Sequence, residues 1–194
     1  AEVNSAAREP IRCRPDVHVT LRGRIVKWGA DPNSRGGLWW IVGPENVGKS
    51  VVAQAVTEEF HSSNHLGASF FFSQNGSHDP NKVISTLAYR LAVDHPEYKD
   101  TISKCLNHNP TIVEEKYEIQ FQKLILESFQ DIARRLPTTQ QRPLVIVLDG
   151  LDKCKGTEAQ CEIIKLIRDF MQMVNYPLRW VVFSRPEQHL EECF

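Results

Sequence analysis

The chain has 194 residues, of which 41% are hydrophobic and 24% charged. That size and balance suit one globular domain with its own core and exclude a disordered or fibrous chain. Lys plus Arg number 23 against 24 for Asp plus Glu, a net charge of -1, so no overall field draws the chain toward nucleic acid or an anionic membrane, and neither is expected as a partner.

No apolar run reaches the length of a membrane span, and the polar stretch Ala1–Pro10 lacks a signal-peptide core. The cysteines Cys13, Cys105, Cys154, Cys161 and Cys193 are odd in number and contain no CxxC pair. They read as reduced thiols of a cytoplasmic protein, not as a disulfide frame or zinc site. The chain does not begin with Met and reads as a piece of a longer protein.

Residues 1–15, small and charged with Pro10 and Pro15, read as a linker, and the folded domain is expected over 16–194. Val17–Trp28 has the spacing of a short helix, with Leu21, Ile25 and Trp28 on one side. Asp31-Pro32-Asn33-Ser34 and Gly36-Gly37 break the chain. Leu38–Val42 is an apolar strand, and a helix is expected over Lys49–Phe60. Gly67–Ser73, containing Phe70-Phe71-Phe72, is a second buried strand.

Asp79-Pro80 opens the next helix, with Asp as cap and Pro in the first turn. His95-Pro96 ends it, and a shorter helix runs to Leu106. Glu114–Leu136 carries Tyr117, Phe121, Leu124, Ile125, Phe129, Ile132 and Leu136 on one face and predicts one long amphipathic helix. Leu144–Leu148 is a third strand, ending in Asp149. Thr157 with Gln160 predicts a capping box opening a helix with Ile163, Ile164, Ile167, Phe170 and Met171. Leu178–Phe183 is the fourth strand and ends in Ser184-Arg185-Pro186. Apolar strands alternating with helices predict an α/β fold: three layers, with a mostly parallel sheet flanked by helices.

The chemistry concentrates after the first strand. Gly43-Pro44-Glu45-Asn46-Val47-Gly48-Lys49-Ser50 matches GxxxxGK[ST] and opens the helix that continues with Val51. Such a loop turns successive backbone N–H groups toward one anion, and the helix N-terminus adds its dipole. Glycine lets the backbone approach the phosphates. Lys49 would neutralise the β- and γ-phosphates, and the Ser50 hydroxyl would ligate magnesium. A chance match in a chain this long is expected at roughly the 1% level, and its place between an apolar strand and an amphipathic helix lowers that further.

Asp149 ends an apolar strand and is the natural second magnesium ligand. Asp152 could polarise a water or merely cap a helix. Arg185, beyond the end of the fourth strand, could reach the γ-phosphate or be an ordinary surface arginine. Asn81-Lys82-Val83-Ile84 lacks the Asp of a guanine-reading Asn-Lys-x-Asp and lies before the third strand, which favours ATP (or ADP) over GTP. His61 and His65 lack an HExxH Glu and carry no metal reading. No Gly-x-Ser-x-Gly elbow is present, and Phe70-Phe71-Phe72, without basic neighbours, reads as core.

These blocks together, Trp39–Ser50, Phe70–Ser73, Leu144–Cys154 with Asp149-Gly150-Leu151-Asp152, and Phe183–Glu187, resemble the NACHT domains of STAND-type signal-transduction ATPases, in particular the fungal set related to the nephrocystin-3 N-terminal region. The resemblance implies an ATP-gated switch whose nucleotide state controls self-association of the parent protein and release of an N-terminal effector. It also implies a winged-helix region, a repeat domain and a fifth strand, none of them expected within these residues. Asn46 stands where the family often has Gly, Glu45 replaces a small residue, and Lys153 replaces the Glu that follows Asp152 and helps activate water. Asp16 and Val17 replace a Gly-Thr pair used near adenine, so base contacts are not carried over.

Three functions compete at this stage: a slow Mg-ATPase using Asp149, Asp152 and Arg185, a nucleotide-binding module with little hydrolysis, and a kinase on the same fold, for which no arginine-rich lid segment is visible.

Overall fold

The computed structural model describes residues 15–34, 37–72 and 78–194. Residues 1–14 of the expected linker, Gly36 and Ser73 lie outside them, and Pro15, read as its last residue, opens the first helix.

The elements follow in chain order as α1 (Pro15–Ala30), β1 (Leu38–Val42), α2 (Lys49–Ser62), β2 (Leu66–Phe71), α3 (Pro80–Asp94), α4 (Pro96–His108), α5 (Tyr117–Gln120), a π-helical segment Phe121–Leu126, α6 (Glu127–Arg135), β3 (Leu144–Asp149), α7 (Thr157–Met173), β4 (Leu178–Ser184) and α8 (Gln188–Cys193). The strands form one sheet in the order β1-β4-β3-β2, and every pairing is parallel.

The continuous apolar runs of the strands are explained by two cores, one on each face. Val145, Val147, Val181 and Phe183 face Ile25 of α1 and Val52, Val56 and Phe60 of α2. Ile146, Leu148, Trp180 and Val182 face the other way, against Leu87 of α3, Phe129 of α6 and Phe170 of α7. Both faces of the sheet are covered, as parallel strands require. The register sets Val42 beside Ser184 and Asp149 beside Phe71 and Phe183. The carboxyl ends of all four strands therefore finish along one rim.

The helix expected over Glu114–Leu136 is broken. A 3-10 turn occupies Pro110–Glu114, and regular helix begins at Tyr117. The buried Gln120 amide donates to the carbonyls of Val113 (3.1 Å) and Glu115 (2.7 Å), folding the preceding chain back. Asn81 of α3 caps the new start by accepting the Tyr117 N–H at 3.0 Å. Downstream, the Glu127 N–H reaches the Gln122 carbonyl, an i→i−5 bond, so Phe121–Leu126 is a π-bulge inside one helical rod. Apolar spacing does not register either feature.

The predicted capping box does not form. Gly156, at φ 91°, is the cap of α7, and Thr157 is already helical. The Gln160 amide instead donates to the carbonyls of Cys154 (2.7 Å) and Asp152 (3.2 Å). By contrast, Asp79 caps α3 as expected, accepting the Asn81 N–H at 3.0 Å.

The reading of all cysteines as reduced is also corrected. Cys161 of α7 and Cys193 of α8 form a disulfide with a Cα–Cα distance of 5.6 Å. Parity concealed it, because the partners meet only when α8 folds back onto α7. Cys105 and Cys154 are free thiols, and burial pushes the Cys154 thiol up to about 11. Among the described residues no helix is long and apolar enough to cross a membrane.

Candidate functional site

β1 ends at Val42, and the loop 43–48 leaves the rim of the sheet with the Gly43 N–H aimed at the Ser184 carbonyl of β4, at 3.4 Å. Two residues of this loop have left-handed backbone: Gly48 at φ 89° and Asn46 at φ 62°. Asn is the residue that takes this conformation at least cost after Gly, so the departure at position 46 leaves the loop able to curl. Glu45 is exposed.

Gly48 caps α2 without a side chain, and the Val51 and Val52 N–H groups close the first turn on its carbonyl at 3.0 and 3.1 Å. A helix N-terminus whose cap brings no side chain leaves the space over its first N–H groups open to an anion. Ser50 sits in that first turn, half-buried.

Lys49 folds back over the loop. Its Nζ donates to the carbonyls of Gly43 (2.6 Å) and Pro44 (2.7 Å). Burial pulls its ammonium below the ordinary lysine value, opposed by the carboxylates of Asp152 and Asp149. The cation is thereby held at the mouth of the loop, facing the acidic end of β3.

Asp149 is 2% exposed at the end of β3. Its carbonyl accepts the Phe72 N–H at 2.8 Å, and the Gly150 N–H continues the ladder to the Phe183 carbonyl at 2.8 Å. Gly150 then turns the chain at φ 81°, where a Cβ would stand 3.3 Å from the Phe72 carbonyl. That turn places Asp152 on the short 3-10 segment Leu151–Lys153, directly under Arg185.

The Asp152 side chain is 2% exposed and is engaged by Arg185 through both oxygens: the backbone N–H at 3.0 Å and Nε–H at 2.7 Å. Those bonds raise the Arg185 guanidinium above the ordinary arginine value. Asp152 thus holds the arginine in place, with one bond at each of its oxygens. The rest of the guanidinium extends from a half-exposed side chain near Glu187 and within the field of Glu45.

Sequence reading missed three residues around this pair. His78 donates its Nδ1–H to the Lys153 carbonyl (2.7 Å), while its own carbonyl accepts the Lys155 N–H (2.8 Å). Gln160 anchors the acidic loop from below, and His189 Nε2 meets Gln160 Oε1 at 2.6 Å. His78 and His189 lie in no motif and their partners are distant in sequence, and Gln160 was read only as part of a capping box. Of the two histidines weighed as a metal pair, His65 has left the helix and bonds the Pro143 carbonyl at 2.8 Å. Among the described residues no cluster of three His, Cys, Asp or Glu could hold a metal. Ser50 and Asp149 supply hard oxygen donors, a set that fits magnesium when phosphates and waters complete the shell.

An all-parallel sheet in this order, with the phosphate loop between β1 and α2 and the carboxylate on β3, defines a P-loop nucleotide-binding module of the P-loop NTPase fold. The chain belongs to the nephrocystin 3, N-terminal family, whose model matches residues 20–185. No curated protein matches it.

Among solved structures it is similar to Drosophila ORC bound to DNA, with a TM-score of 0.55 and 14% identity over 96% of this chain and 42% of that one. It is also similar to Drosophila ORC bound to poly(dA/dT) DNA and Cdc6, with a TM-score of 0.54 and 12% identity over 90% of this chain and 26% of that one. The chain spans less than half the length of either, and at such identity the likeness shows the fold. It nevertheless corrects one expectation. Both ORC structures hold DNA, so near-zero net charge does not exclude nucleic acid as a partner of this fold.

Proposed function

We propose that this chain is the ATP- and magnesium-binding core of a NACHT-type signal-transduction NTPase switch, with slow hydrolysis at most. The observation that carries the reading is the loop from Gly43 to Ser50. Its left-handed residues, its helix start without a side-chain cap and its folded-back Lys49 are the features by which such a loop seats an anion.

The chain's own residues divide the work. The N–H groups from Glu45 to Ser50 cradle the phosphates, and Lys49 exchanges its two carbonyl acceptors for β- and γ-phosphate oxygens. Ser50 and Asp149 would hold magnesium, which when bound would neutralise charge building on the leaving phosphate. Arg185, oriented by Asp152, contributes its outer N–H groups to the third phosphate. Hydrolysis is kept slow because Asp152 is engaged by Arg185 and Lys153 brings positive charge to the next position.

That same observation supports a second reading, a module that binds nucleotide without hydrolysing it. Phosphate release with magnesium-ATP, compared with a Lys49→Ala control, separates the two. Slow release above the control is expected for the first reading, and Lys153→Glu should raise it. Release equal to the control in both proteins would leave only the binding module. Self-association of the parent protein under nucleotide control, and a cytoplasmic location, belong to the same proposal.

A further inference from the structure

The helix α8 is too short to persist by propensity alone, and it follows Arg185 across Pro186 and Glu187. Three contacts fix it. The disulfide joins Cys193 to Cys161 of α7 across 32 residues. His189 meets the buried Gln160 at 2.6 Å. The Phe194 ring stacks on Trp40 of β1 with centroids 4.3 Å apart, and Trp40 Nε1 donates to Ser184 Oγ at 2.6 Å. Gln160 carries the connection onward to the Asp152 carbonyl, and Asp152 holds Arg185. The path from disulfide to arginine is closed on both sides.

We propose that the Cys161–Cys193 pair is a redox switch that sets how strongly Arg185 distinguishes a nucleoside triphosphate from a diphosphate. The proposal rests on the nucleotide-binding reading above. In the reductive step a dithiol attacks one sulfur as its thiolate, and the Cys161–Cys193 bond breaks to give a mixed disulfide. The second thiol of the reductant then displaces the cysteine. Two electrons and two protons pass to the protein, and the reductant leaves as its own disulfide.

Both cysteines are half-buried, within reach of such a reagent, whereas Cys154 is sealed in the core. The reduced state has an acceptor ready. The His189 carbonyl lies 3.2 Å from Cys161 Sγ and 2.9 Å from Cys193 Sγ, so neither thiol is stranded.

The covalent loop between the two sulfurs contains β4 and Arg185, and the phosphate loop lies outside it. When the bond is closed, the segment after β4 is ordered before nucleotide arrives. When it is open, ordering that segment is a cost of each binding event that uses Arg185. Diphosphate binding, held by the loop and Lys49, does not draw on it.

The test uses the 194-residue chain as isolated under oxidising conditions and after dithiothreitol, with the thiol state read by alkylation and mass. Magnesium-ATP and magnesium-ADP are titrated into each. Reduction is expected to lower the ATP-to-ADP affinity ratio by at least about 5-fold with the ADP constant unchanged, and to lower hydrogen-exchange protection across residues 185–194. Cys193→Ser and Cys161→Ser should each hold the ratio at its reduced value with or without dithiothreitol. Should either variant fail to fold, the comparison on the unaltered chain decides. Equal ratios in both redox states, with ADP bound in each, would overturn the switch and leave nucleotide binding intact. No binding of either nucleotide in either state would overturn both, and free alkylation of Cys161 and Cys193 in the oxidised chain would overturn the switch at its first step.

Discussion

Arg185 donates its Nε–H to one oxygen of Asp152 at 2.7 Å and its backbone N–H to the other at 3.0 Å. The ends of β3 and β4 are thereby tied across the rim where the phosphates would lie. The pair joins two separate candidate residues into one unit, in which the carboxylate positions the arginine.

Arg185→Ala removes one of the two bonds to a carboxylate that is 2% exposed. A loss of about 1–3 kcal/mol in stability is expected, measurable from urea unfolding midpoints. In titrations the same variant should weaken ATP more than ADP. Equal weakening would place Arg185 outside the reach of the third phosphate.

Arg179 predicts a larger effect far from the phosphates. Its side chain, 0% exposed, donates to the carbonyls of Trp28, Gly29, Asp31 and Ser34, at and just beyond the C-terminal end of α1. A cation there also satisfies the helix dipole. Arg179→Met should cost about 3–4 kcal/mol, since it leaves several carbonyls without a donor. A change within about 0.5 kcal/mol, the usual range of surface substitutions, would show that α1 is not held this way.

His95 predicts a pH dependence. It is 4% exposed, and its Nε2–H donates to the Leu66 carbonyl at 2.9 Å, leaving Nδ1 to accept from Arg142 at 3.1 Å. Burial, reinforced by the Arg142 charge, lowers its pKa below the ordinary 6.5, against the Leu66 bond and the Asp94 carboxylate. A depressed folded-state value means that the unfolded chain takes up the proton first. The contribution is complete above the unfolded value and is lost as pH falls through the folded one. Stability should therefore decline from about pH 6.5 downward, by at most about 1.4 kcal/mol per pH unit. Urea midpoints between pH 7.5 and 5 measure it, and His95→Gln should flatten the His95 part of the slope.

Local chemistry made part of this legible in the sequence. The phosphate loop, Asp149 and the Asp79 cap each depend on neighbours within a few residues, and the four strands announce themselves by apolar runs with no polar face. What escaped depends on distant partners. Arg185 and Asp152 are 33 residues apart and meet only because β3 and β4 are adjacent. Cys161 and Cys193 meet only because α8 returns to α7. Gln160 looked like a cap because the Thr-x-x-Gln spacing is right, yet Gly156 at φ 91° had already started the helix. The break before Tyr117 comes from Asn81, on another helix.

The most direct test of the central claim is calorimetric titration of the chain with ATP, ADP and GTP, with and without magnesium, beside Lys49→Ala. The account predicts saturable binding of ATP and ADP, tighter ATP binding with magnesium, weaker GTP and no binding to the variant. ATP binding that survives Lys49→Ala unchanged, or no binding of any nucleotide to the unaltered chain, would contradict it.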